Sequence, residues 1–93
     1  MKLIYDNNAS GDLTIRFEDT VSFDRIRDLL VNHWSAKPVE QLGTYDQGWL
    51  DLRINQGTIT LHWDTFMGLS LTSRDSSSEE VLKMIGDHLK TME

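Results

Sequence analysis

Leu13-Thr14-Ile15-Arg16-Phe17-Glu18 alternates apolar and polar residues, the period of a strand that buries one face, and turn-forming residues fill the stretch from Asn7 to Asp12. Residues 2–5 and 13–18 are therefore predicted to form a first hairpin. The period then lengthens. Ser22 can cap a helix with Asp24 in its first turn, and Phe23, Ile26, Leu30 and His33 or Trp34 recur along one face. This helix is expected to run to about Ala36, because Lys37 precedes Pro38, the only proline, and a residue before proline is pushed out of the helical region.

From Val39 the period returns to two, predicting strands at 39–45, 49–55, 58–64 and 68–73. Asp46-Gln47-Gly48, Asn55-Gln56-Gly57 and a turn around Thr65-Phe66-Met67 separate them. Ser77 with Glu80 three residues on reads as a capping box, and Val81, Leu82, Ile85, Leu89 and Met92 keep helical spacing to the C-terminus, with Gly86 a mild weakness. The order is β-β-α-β-β-β-β-α. Short connections favour antiparallel pairing, and two amphipathic helices can cover only one face of such a sheet. The expected fold is α+β, a two-layer sandwich with an antiparallel sheet, two helices on one face and the other face open.

Apolar matching suggests a register for the central hairpin. A two-residue turn at Gln56-Gly57 pairs Ile54 with Ile59, Leu52 with Leu61 and Leu50 with Trp63. A shift of one residue would cost the burial of several side chains, at ~1.5–3 kcal/mol each. The opposite face then carries Trp49 across from Asp64, Asp51 across from His62, and Arg53 across from Thr60.

Three readings of that face stand side by side. Asp51 and His62 can be an ordinary cross-strand pair on a solvated surface. Trp49, Asp51, His62 and Asp64 can form a binding surface, since an exposed Trp beside hydrogen-bonding charges has the composition of an interface hot spot. Asp51, His62 and Asp64 can also serve as a metal or acid–base site, although a strand face supplies no fourth ligand and His-x-Asp spacing is nonspecific. His33 and His88 border the helical stripes and read as packed residues, and a zinc site joining them to His62 requires His62 to face the helices. Trp34, Trp63 and Phe17 read as core. Phe66 and Met67 sit at a hairpin tip, where apolar residues either contact a partner or fold over the sheet edge.

Composition narrows the function classes. The 93 residues suit one domain, and 39% hydrophobic with 26% charged residues can build a core. Nine basic against fifteen acidic residues leave a net charge of −6, the wrong sign for gripping a phosphate backbone, so nucleic acid is not an expected partner. No cysteine is present, which removes disulfides, thiolate nucleophiles and Cys-based zinc sites and suits a reducing compartment. Apolar runs are short and no signal sequence is recognisable, so a cytoplasmic location and no membrane partner are expected. Neither a Gly-x-Ser-x-Gly elbow, a Walker motif nor His-Glu-x-x-His occurs, and no cofactor is implied.

The segment from Gly48-Trp49-Leu50-Asp51-Leu52 through Leu61-His62-Trp63-Asp64, followed by Gly68 and a capped C-terminal helix, resembles small bacterial proteins of the domain-of-unknown-function kind. In size, acidity and layout the chain is also similar to bacterial toxin-immunity proteins. The resemblance implies a bacterial protein that works by binding another protein, and it assigns no residue a role. The expected function is thus a small acidic interaction module of inhibitor or immunity type, whose partner is another protein of basic character. A small metal-dependent or acid–base hydrolase using Asp51, His62 and Asp64 is the alternative.

Overall fold

The computed structural model describes residues 1–55, 57–66 and 68–92. Its elements follow the expected order: β1 (Leu3–Asn7), β2 (Leu13–Phe17), α1 (Phe23–His33), β3 (Lys37–Gly43), β4 (Gln47–Ile54), β5 (Gly57–Asp64), β6 (Gly68–Ser73) and α2 (Ser76–Lys90). The six strands form one antiparallel sheet in the order β1-β2-β6-β5-β4-β3. The fold is an α+β sandwich. Ile15, Leu52, Ile59, Leu61 and Leu71 from the sheet meet Ile26 and Leu30 of α1 and Leu82, Ile85 and Leu89 of α2, all fully buried. At ~1.5–3 kcal/mol per buried aliphatic side chain, this interface is the main force joining the layers. No helix among the described residues is long and apolar enough to cross a membrane.

The hairpin register differs from the expected one by two positions. Asn55 takes up the left-handed backbone region (φ 57°), so the strands close on Ile54 and Gly57, pairing Leu52 with Ile59 and Leu50 with Leu61. Gln56 lies outside the described residues. Gly57, which reads as a turn residue, instead lets α2 approach the strand: a Cβ there would stand 2.6 Å from the Ser78 Cβ and 2.8 Å from Asp75 Oδ1. Because the shift is even, every side chain keeps its face. Leu52 and Leu61 remain in the core.

Two helix boundaries also move. The first helix ends at His33 with Trp34 as its C-cap, short of Ala36, and Ser35 turns the chain through the left-handed region (φ 56°). β3 therefore begins at Lys37, where Pro38 is tolerated because the strand lies at the sheet edge. Ser22 caps α1 as expected, accepting from the Arg25 amide. The cap of α2 is Asp75, not Ser77. Its carboxylate accepts the Ser78 amide at 2.9 Å, and the Ser78 hydroxyl completes the capping box, while Glu80 points to Lys83. A carboxylate wins this position because it adds charge complementarity with the helix dipole to the hydrogen bond.

Candidate binding face

The two helices cover one side of the sheet, so the other side is built from every second residue of the strands. The registers join these residues into ladders that cross all six strands. One runs Asp6, Thr14, Thr72, Thr60, Asp51, Glu40. The next runs Ile4, Arg16, Ser70, His62, Trp49, Leu42.

The first ladder is polar and largely satisfied from within. Thr60 donates to Asp51 Oδ1 at 2.6 Å, and the Thr14 and Thr72 hydroxyls lie 3.1 Å apart. Asp51 is thereby oriented and engaged. In the second ladder the character changes toward β3, where Leu42 (49% exposed) flanks Trp49 (38% exposed) and His62 flanks Trp49 on its other side. Val39 adds a further exposed apolar side chain on the same edge strand. Glu40, Trp49, Asp51, Thr60, His62 and Arg74 enclose a shallow hollow on this half of the face.

The expected pairing of Asp51 with His62 is corrected by the register: Asp51 stands opposite Thr60, and His62 stands opposite Trp49. Trp49, Asp51 and His62 nevertheless share one patch, since the face was assigned correctly. Asp64 does not join them. It ends β5 opposite Gln47, accepts the Phe66 amide on Oδ1 at 2.7 Å, and lines a different depression among the loops. Among the described residues no group of three His, Cys, Asp or Glu side chains is placed to hold a metal ion.

The histidines divide between the layers. His33 and His88 stack with ring centroids 4.4 Å apart where α1 ends beside α2, with Trp34 at 5.8 Å from His33 and 6.1 Å from His88. His62 lies on the far side of the sheet from both, so the three do not meet. Leu42, Glu40 and Arg74 were not singled out from sequence. Leu42 carries a legible signal, being an apolar residue of a predicted strand, but its neighbour and its place at the sheet edge follow only from the structure.

The loop depression gathers residues distant in sequence: Phe17 at the end of β2 with Glu18 to Val21 after it, Phe23 at the start of α1, Tyr45 and Asp46 between β3 and β4, and Trp63 and Asp64 at the end of β5 with Thr65 and Phe66 after them. Trp63 is the hinge of this arrangement. Its ring lies over Gly48, where any Cβ would overlap the indole, meets Phe23 edge-on at 4.7 Å, and donates from Nε1 to the Thr44 carbonyl at 3.0 Å. The expectation that Trp34, Trp63 and Phe17 are core is met by Phe17, which is buried, whereas Trp34 and Trp63 are half-buried and pack against the core from its margin. Phe66 projects into solvent, 95% exposed, and Met67 lies outside the described residues.

No protein-family model, curated protein or solved structure matches this chain.

Proposed function

We propose that this protein is an interaction module that docks a protein partner on the uncovered face of its sheet. The observation that carries this reading is the contiguous Leu42–Trp49–His62 row, in which two large, partly exposed apolar side chains lie side by side on paired strands. An aromatic anchor on regular secondary structure is held in place before binding, so little conformational freedom is lost on association. Asp51 and Glu40 border the row on one side and supply polar contacts at its rim. The net charge of −6 favours a basic partner by speeding encounter rather than by adding affinity. A bacterial, cytoplasmic inhibitor or immunity-type role is consistent with these features; neither nucleic acid nor a membrane is invoked as a partner.

The test is the affinity of the wild type and of Trp49→Ala for a protein partner recovered from the cell of origin. Trp49→Ala should weaken binding by ~2 kcal/mol or more, chiefly through faster dissociation. Met84→Ala, an exposed change on α2, should leave affinity unaltered. Equal affinity of wild type and a folded Trp49→Ala protein would remove the sheet face as the site.

A further inference from the structure

The loop depression below the ends of β2, β3 and β5 has a chemistry of its own. Its floor is apolar and aromatic, with Phe17, Phe23, Trp63 and Leu69, and Tyr45 (91% exposed) and Phe66 (95% exposed) stand at its mouth. Four carboxylates, Glu18, Asp19, Asp46 and Asp64, line the same space, and no Lys or Arg is among the lining residues. Asp19 accepts the Lys2 amide and Asp64 the Phe66 amide. The carboxylates of Glu18 and Asp46 meet no donor among the described residues.

The walls are tied together rather than loose. Thr65 donates from both its amide (2.9 Å) and its hydroxyl (2.8 Å) to the Asp46 carbonyl, which links the β3–β4 turn to the β5–β6 turn. Trp63 adds its bond to Thr44 in the same turn. The turns that carry Tyr45 and Phe66 are thus joined, and the two exposed rings stand beside the carboxylates of Glu18 and Asp46. Aromatic faces and carboxylates attract the same ligand class, and the planar guanidinium satisfies both, stacking through its weakly hydrated face while its edge donates to a carboxylate. The molecule already places the Arg27 guanidinium 5.7 Å from the Phe23 ring centre, paired with Asp24 and Asp28.

We propose that this cleft binds an arginine side chain of a polypeptide partner, between Tyr45 and Phe66 and against the carboxylates of Asp46 and Glu18. The site is separate from the sheet face around Trp49 and stands or falls without it. Charge complementarity selects a basic segment as occupant, and the aromatic mouth selects arginine over lysine, whose compact ammonium is more strongly hydrated.

Two-dimensional amide NMR of the intact protein, titrated with a short end-blocked oligo-arginine peptide, tests this. Saturable shifts should concentrate on the Trp63 indole N–H and on the backbone amides of Asp46, Thr65 and Phe66. An oligo-lysine peptide of equal charge should bind about tenfold more weakly. The Tyr45→Ala/Phe66→Ala double variant should lose about tenfold in affinity for oligo-arginine, while its circular dichroism and melting temperature stay at wild-type values because both side chains are exposed. Trp49→Ala should bind the peptide as the wild type does, which separates failure here from failure of the sheet-face reading. Equal binding of the two peptides, unchanged affinity in the double variant, shifts spread over the other acidic surfaces, or no saturable binding would each overturn the proposal.

Discussion

Replacing Asp75 by Ala removes more than a helix cap. Oδ1 accepts the Ser78 amide at 2.9 Å and the Ser77 hydroxyl at 3.1 Å, and Oδ2 accepts the Thr58 amide of β5 at 3.1 Å. One carboxylate therefore starts α2 and ties that start to the central hairpin. Losing an N-cap costs ~0.5–2 kcal/mol, and water can replace it at the exposed Thr58 amide, so the expected destabilisation of Asp75→Ala is ~2 kcal/mol. Ser77→Ala removes the exposed hydroxyl bond to Asp75 but leaves the carboxylate's bonds to the Ser78 and Thr58 amides in place, and should cost ~0.5 kcal/mol or less. Burial pushes the Asp75 carboxyl upward, but hydrogen bonds from Ser78, Ser77 and the Thr58 amide outweigh it and hold its pKa below the ordinary 3.8. A depressed folded-state pKa gives stability that is present above the unfolded pKa and lost as pH falls through the folded one. The stability gap between wild type and the non-titrating Asp75→Asn should hence be constant near neutrality and shrink below about pH 4. Urea melts across this range measure both effects. A larger loss in Ser77→Ala than in Asp75→Ala, or a gap that does not change with pH, would refute the assignment of the cap.

Other substitutions probe how the two layers and the loop depression are held. Leu89→Ala empties a fully buried position beneath α2 and should lower the urea midpoint by an amount corresponding to ~2–5 kcal/mol. Gly48→Ala forces Trp63 off its seat and should cost ~1–3 kcal/mol, with a changed near-ultraviolet circular dichroism spectrum as the Trp63–Thr44 bond is lost.

Element order and face assignment were legible because they depend on local periodicity. The alternation in Leu13 to Phe17 and in Leu50 to Ile54 fixes which side chains point to the helices whatever the partner strand. Register depends on which residues form the turn, and there the sequence misleads: Gly57 looks like a turn glycine but is needed for the approach of α2 in three dimensions. Asp75 was passed over for Ser77 for a related reason, since its bond to Thr58 exists only after the helix docks on β5. The patch of Trp49, Asp51 and His62 survived because an even shift preserves faces, whereas Asp64 sits at a strand end where the neighbouring turns govern its surroundings. The loop depression joins segments distant in sequence, and its lining residues Phe17, Trp63, Asp64 and Phe66 stood out along the chain one by one, for other roles, because nothing local brings them together.

The sheet face as a docking surface is tested most directly by mapping contacts inside cells. A photo-crosslinking phenylalanine analogue placed singly at Leu42, Trp49 or Met84 reports what lies beside each position. The proposal requires a discrete heteromeric adduct from positions 42 and 49 that is competed by unlabelled wild-type protein, and none from position 84 on α2. Adducts from 84 matching those from 42 and 49, an adduct only with a second copy of this chain, or no adduct from the sheet face would contradict it.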